Sequence, residues 1–164
     1  MNSDPNIDAV YIPVPTGIRT EWAIRAAKNN KHILCEKPIA NAADVRRIIE
    51  VCREQNVLFM DNTMWLHHTR TRTLKNTVPM FGENGSLQKI RASFNVNLKD
   101  MDPNNIRFSP DLEPYGALGD LGWYCIGNIL FYYNYEKPFK MSIQSLRDSN
   151  GALVRCDGIL CFSN

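Results

Sequence analysis

Three stretches decide the fold: Ala9-Val10-Tyr11-Ile12-Pro13-Val14, then His32-Ile33-Leu34-Cys35, then Val57-Leu58-Phe59-Met60. Each is a short apolar run rich in β-branched or aromatic residues, and the first closes on the turn signal Pro15-Thr16-Gly17. Between the first two, Trp22, Ala23, Ala26 and Ala27 fall on one side of a helix, with Arg19, Arg25 and Lys28 toward solvent. That helix is expected to stop at Asn29-Asn30. Between the second and third, Asn41 is placed to cap a helix that carries Val45, Ile48, Ile49 and Cys52 and closes at Gln55-Asn56. This alternation predicts right-handed β-α-β-α-β units in a doubly wound parallel sheet.

The pattern changes beyond about residue 80. Gly82-Glu83-Asn84-Gly85 is a turn cluster, and Leu87 to Leu98 then reads as one long strand. Ile90, Ala92, Phe94, Val96 and Leu98 alternate with Lys89, Arg91, Asn95 and Asn97, the period of a sheet with one wet face. Tyr115 to Tyr135 reads as a helix carrying Leu118, Leu121, Cys125, Ile129 and Tyr132. Met141 to Arg147 and Ala152 to Phe162 read as strands around the turn Asp148-Ser149-Asn150-Gly151. The expected architecture is therefore α/β followed by α+β: part of a Rossmann-like parallel sheet over 1–80, then part of an open-faced mixed or antiparallel sheet over 81–164. No G-x-G-x-x-G follows the first strand, and three parallel strands are few for such a domain. The chain reads as a middle segment of something longer.

Composition narrows the function classes. A hydrophobic share of 44% against 22% charged residues suits a soluble chain that can build a core. The 19 basic and 17 acidic residues are dispersed, so nothing points to nucleic acid. No apolar stretch approaches the ~20 residues of a membrane span. The five cysteines form no CxxC pair and no zinc spacing, so no metal is expected, and they read as small buried hydrophobes in a reducing compartment. With the polar start Met1-Asn2-Ser3-Asp4-Pro5 this favours the cytoplasm. His67 and His68 are adjacent, so their rings diverge on a helix, and a loop or helix-start role is expected, with Arg70 and Arg72 on a solvated face. Tyr132, Tyr133 and Tyr135 are expected to pack under a sheet.

Two groups of residues carry chemistry. In Glu36-Lys37-Pro38, the proline excludes helix at Lys37 and stops the strand, so the lysine projects over the sheet's carboxyl edge, where ligands bind in open α/β sheets. It is either a proton donor or acceptor at a ligand, or a solvated loop lysine. In Gly116-Ala117-Leu118-Gly119-Asp120-Leu121-Gly122-Trp123-Tyr124, Asp120 and Tyr124 share a helix face. The glycines cost about 1 kcal/mol each against alanine, which suggests close approach by another backbone or a ligand. A phenol beside a carboxylate and an ammonium can serve as general acid or base, because the cation favours the phenolate. The other reading is a tight helix contact with a capped aspartate. Arg107, in Asn104-Asn105-Ile106-Arg107-Phe108, is either a contact to a polar substrate or a surface arginine.

Together AVYIPVPT (9–16), HILCEKPI (32–39), Met64-Trp65 and GALGDLGWYCI (116–126) make the chain resemble the Gfo/Idh/MocA oxidoreductases. The subgroup it looks most like is the trans-1,2-dihydrobenzene-1,2-diol dehydrogenase and D-xylose dehydrogenase type. The resemblance implies an enzyme using NADP, or else NAD, with a sugar or cyclic diol as substrate. Pro15 and Thr16 then fall beside the nicotinamide half of the cofactor. Glu36 and Lys37 match the family's EKP, Asp120 its aspartate and Tyr124 its general acid/base, with Lys37 assisting Tyr124. Trp65 falls beside the substrate. Arg19 stands where the subgroup usually has a histidine that helps hold the coenzyme, a departure that leaves this contact to a guanidinium. The resemblance also implies an open-faced sheet through which two chains could pair as a homodimer. It marks the first Gly-rich βαβ unit and part of the C-terminal sheet as absent, so a truncated, non-catalytic chain is the alternative expectation.

Overall fold

The computed structural model describes residues 4–77, 87–98 and 101–163. Strands β1 (Ala9–Ile12), β2 (His32–Cys35) and β3 (Phe59–Asp61) form a parallel sheet in the order β1-β2-β3. Its register pairs Tyr11 with Leu34 and Leu34 with Met60. Helices α1 (Thr16–Lys28) and α2 (Ala42–Glu54) make the crossovers and pack together. Val10, Ile12, Ile33 and Cys35 alternate onto the helical face, as a period of two requires. They meet Ala23, Ala26 and Ala27 of α1 and Ile48 and Cys52 of α2. Alanines at the contact let α1 lie close to the strands. The row Tyr11, Leu34, Met60 belongs to the opposite face, where Tyr11 and Met60 are exposed.

The helix ends follow local chemistry. The Asn41 side chain accepts a hydrogen bond from the Asp44 amide and caps α2 as its position predicts. Asn30 and Asn56, just past α1 and α2, have φ of 58° and 53°, a region asparagine tolerates better than other side-chain-bearing residues.

In the second half, helix α3 (Thr69–Thr77) follows a 3₁₀ turn at Met64–His67. A second 3₁₀ turn, Ile106–Phe108, precedes the π-helical turn Leu118–Gly122, which runs into α4 (Trp123–Tyr132). Strands β4 (Lys140–Arg147) and β5 (Leu153–Cys161) form an antiparallel hairpin. Its turn is closed by Asp148 Oδ1, which accepts from the amides of Asn150 and Ala152 at 2.9 Å each. The parallel and antiparallel sheets match the expected fold class.

Several expectations need correction. Leu87 to Leu98 is not a strand; it joins neither sheet among the described residues, and Phe94 and Val96 are exposed rather than lining a buried face. Alternation marks a strand only where another strand supplies the ladder. Arg19, expected toward solvent, is 4% exposed, while Trp22, expected on the apolar side, is 42% exposed with the Arg25 guanidinium over its ring. Arg19 is drawn inward by carbonyl acceptors, described below. The helix expected from Tyr115 starts only at Gly116, and it ends at Tyr132, before Asn134 and Tyr135, both at positive φ. Tyr133 stacks on Phe162 beyond β5, whereas Tyr135 is exposed. Of the cysteines, Cys35 and Cys52 are buried and the other three only partly so. The expected boundary between Val78 and Gly85 lies outside the described residues.

Ile48 is fully buried between α2 and the sheet, so Ile48→Ala should cost about 2–5 kcal/mol through lost transfer energy plus a cavity. Asn41→Ala, which removes a cap and leaves the core intact, should cost about 1 kcal/mol. Urea denaturation followed by far-UV circular dichroism measures both. A smaller loss for Ile48→Ala than for Asn41→Ala would contradict this assignment of the core.

Candidate active site

The carboxyl ends of the three parallel strands converge on Glu36. Tyr11 of β1 donates its hydroxyl to Glu36 Oε1 at 2.7 Å, and Asn62, just after β3, donates to the same oxygen at 2.5 Å. Burial pushes the Glu36 carboxyl up, but the bonds from Tyr11, Asn62 and the Lys37 backbone, with the Lys37 charge, outweigh it and hold it below its ordinary value. Lys37 follows, joined to Pro38 by a cis peptide bond.

The Lys37 ammonium points across to the other half of the chain. Nζ lies 2.7 Å from Asp120 Oδ1 and 2.9 Å from the Asp120 carbonyl oxygen. It also sits 4.9 Å from the ring centroid of Tyr124, over the ring rather than at its hydroxyl. The second Asp120 oxygen accepts from Arg107 Nε at 2.7 Å. Burial raises the Asp120 carboxyl, and the hydrogen bonds and charges of Lys37 and Arg107 more than reverse this, so it stays below its ordinary 3.8. Asp120 lies in the π turn, a widened geometry common at functional sites. Gly116 permits the approach: it has φ +40°, and a Cβ there would fall 2.3 Å from the Leu153 carbonyl oxygen of β5. The other backbone suggested by the glycine spacing is this strand.

Glu36, Lys37, Arg107 and Asp120 line one cleft of about 210 Å³ with Pro13, Arg19, Ile106 and Glu113, and Tyr124 is not part of that lining. Three positive side chains (Arg19, Lys37, Arg107) face three carboxylates (Glu36, Glu113, Asp120), so the lining is charge-balanced. Arg19 spends its guanidinium on the chain itself. Nε donates to the Val14 carbonyl at 2.9 Å, and Nη1 donates to Thr16 Oγ1 at 3.1 Å and to the Pro38 carbonyl. Thr16 is 1% exposed, and its amide is taken by Glu113. Trp65 stands further along α4, edge-on to Phe131 at 5.4 Å and against Gly127, where a Cβ would come within 3.3 Å of its ring. Its buried indole N–H has no acceptor among the described residues. His68 Nδ1 accepts from the Arg70 amide at the start of α3, the helix-start role expected for this pair. Among the described residues no group of three or more His, Cys, Asp or Glu could hold a metal ion, and no helix is long and apolar enough to cross a membrane.

Residues 1–63 match the model of the Gfo/Idh/MocA oxidoreductase family with an NAD-binding Rossmann fold. The chain is 30% identical over 163 residues to D-xylose 1-dehydrogenase (NADP(+)) 2 of Haloferax volcanii, covering 99% of this chain and 49% of that protein. The chain belongs to the Gfo/Idh/MocA oxidoreductase family. It is also 38% identical over 122 residues to dTDP-3,4-didehydro-2,6-dideoxy-alpha-D-glucose 3-reductase of Saccharopolyspora spinosa, covering 73% of this chain and 35% of that one. Among solved structures it superposes on KijD10, a 3-ketoreductase from Actinomadura kijaniata in complex with NADP and TDP-benzene, with a TM-score of 0.80 at 29% identity. That match covers 97% of this chain and 48% of the ketoreductase. The chain thus spans half the length, or less, of the relatives it matches.

Within this Gfo/Idh/MocA chain, the structure brings Glu36, Lys37, Arg107 and Asp120 to one cleft, with Tyr124 beneath Lys37. Trp65 and Pro15 do not line that cleft, and Thr16 is closed off. Glu113 carries no sequence motif that marks it as part of the site. Its position just before the Gly-rich run was the only available signal.

The lowered Asp120 group fixes the sign of a pH effect. Stability drawn from its ion pairs is fully present above the ordinary value of 3.8 and is lost as pH falls through the lower native value. Lys37→Met should move the Asp120 carboxyl titration upward, read by ¹³C NMR of Asp-labelled protein. An unmoved Asp120 would mean that Lys37 contributes nothing to holding it charged.

Proposed function

We propose that this chain carries the proton-transfer half of an NAD(P)-dependent oxidoreductase acting on a hydroxyl of a sugar or cyclic diol. The observation that carries the reading is Lys37 Nζ, held at 2.7 Å from Asp120 Oδ1 and 4.9 Å over the Tyr124 ring at the carboxyl edge of a parallel sheet. When bound, the nicotinamide supplies the hydride acceptor, and NADP is favoured over NAD because the xylose dehydrogenase is named for it and KijD10 was crystallised with it. Tyr124 takes the hydroxyl proton, and its hydroxyl has no competing partner among the described residues. The Lys37 ammonium stands 4.9 Å over the same ring, a cation–π contact that holds the two side chains together. Asp120 fixes the ammonium through two of its three donors, leaving the third for the substrate oxygen. The balanced charge of the lining suits a neutral polyhydroxyl rather than an ion.

The donor set fits a nicotinamide only in part. A cleft of about 210 Å³ is below the ~300–1,000 Å³ usual for a small-molecule site, so it would hold the reacting end alone. Glu36, Lys37 and Pro13 would meet that end. With Thr16 closed and Arg19 engaged, the cofactor roles expected of Pro15, Thr16 and Arg19 would reduce to shaping the wall. Trp65, with its unpartnered indole N–H, and Arg107 are the proposed substrate contacts. We assign residues 1–80 to a partial dinucleotide domain and 81–164 to a partial substrate domain, the latter pairing with a second copy through the face of the β4–β5 hairpin that carries the exposed Met141 and Ile143.

In any form of the protein that turns over, Lys37→Met and Tyr124→Phe should each reduce kcat about 10²–10⁴-fold with the fold intact. Near-normal turnover by both variants would refute the assignment. A second reading is that these 164 residues by themselves, which contain no G-x-G-x-x-G, do not hold the cofactor. Fluorescence titration of the purified chain with NADPH separates the two: saturable binding sinks the second reading.

A further inference from the structure

Helix α1 starts without a cap of its own. Pro15 at the N-cap position makes no side-chain hydrogen bond, and the first turn holds no acidic residue. The first four amides of a helix lack intrahelical partners. Two of them here are met from the far half of the chain. Glu113 Oε1 accepts from the Thr16 amide at 3.1 Å, and the Leu112 carbonyl accepts from the Gly17 amide at 2.8 Å. The fit is close enough that a Cβ at Gly17 would lie 2.1 Å from the Asp111 carbonyl oxygen.

The clasping segment is stiff and leads straight to the site. The Glu113 amide donates to the Ser109 carbonyl at 2.8 Å, and the Gly116 amide donates to the Glu113 carbonyl at 3.0 Å. From Gly116 the chain passes into the π turn that carries Asp120, where a Cβ at Gly119 would stand 3.2 Å from Pro38 Cγ. The same turn of α1 grips the other partner, because Arg19 donates to the Pro38 carbonyl next to Lys37. One helical turn therefore holds both sides of the Lys37–Asp120 contact.

We propose that Glu113 is a positioning residue, whose clasp on the first turn of α1 sets the π turn and so seats Asp120 on Lys37. Its functional meaning rests on the proton-transfer reading above, but the structural claim does not. A plain helix cap would stabilise α1 and leave Asp120 where it is.

The test is ¹³C titration of the Asp120 carboxyl in the purified chain. Glu113→Ala should move that titration upward toward 3.8 while the amide spectrum of β1–β3 stays native. Glu113→Gln, which keeps an acceptor oxygen for Thr16, should leave it at the wild-type position. Should Glu113→Ala fail to fold, Glu113→Asp keeps the charge with a reach one methylene shorter and should give an intermediate upward shift. An unchanged Asp120 titration in Glu113→Ala or Glu113→Asp, with faster amide exchange at Thr16 and Gly17, would overturn the proposal and leave a cap alone. The control separates the two claims. If Lys37→Met shifts Asp120 and removal of the Glu113 clasp does not, the clasp fails and the pair stands. If neither shifts it, the pair itself fails.

Discussion

One carboxylate joins the two halves of this chain. Asp120 receives Lys37 from the end of β2 on one oxygen and Arg107 from a 3₁₀ turn on the other, both at 2.7 Å. Taking charges out of water is costly, and a partly buried pair repays this only with good geometry and full hydrogen bonding. The Lys37 side chain is 11% exposed and that of Asp120 26%, so both are substantially withdrawn from solvent. Two cations on one anion make the arrangement redundant: losing either leaves Asp120 with a partner. Losing both would leave a partly buried carboxylate unpaired, the expensive case.

The π turn is what lets this carboxylate reach both. An ordinary helix through Leu118–Gly122 would turn Asp120 by a different angle from the axis of α4. The glycines that cost helix stability here are offset by fit, since Gly116 lies against Leu153 of β5 and Gly119 against Pro38. A side chain at Gly116 would push the chain off β5, and one at Gly119 would push the turn away from Pro38, the residue after Lys37. Helical strain, tight packing and placement of charge are therefore one feature seen at three levels.

What the sequence makes legible follows from range. Strand β2 and the cap at Asn41 depend on neighbouring residues and coincide with their expected positions. Lys37 and Asp120 do meet in space, and each is marked by local chemistry: a proline after a strand, a glycine-spaced helix. Arg19 and Leu87 to Leu98 fail for the opposite reason. Periodicity places Arg19 toward solvent, but the carbonyls of Val14 and Pro38 attract its guanidinium inward. Alternation over Leu87 to Leu98 describes a strand's side chains without supplying a ladder partner. Glu113 is invisible to both tests, since its role exists only across the 97 residues that separate it from Thr16.

The Glu36 network shows how much of the site the parallel sheet supports unaided. β1 contributes Tyr11, the end of β2 contributes Glu36, and the residue after β3 contributes Asn62, so each strand supplies one member of a lateral tie. Both donors meet one oxygen, which fixes the carboxylate's plane and, through it, the backbone that leads into Lys37. Tyr11 belongs to the row with Leu34 and Met60, on the face that α1 and α2 do not cover. Covering that face would dehydrate the Tyr11–Glu36 bond and strengthen it, because hydrogen bonds to a charged group gain as the local dielectric falls. The lysine's position is thus set by three strands and one turn of α1, and anything laid over the open face would tighten a geometry already in place.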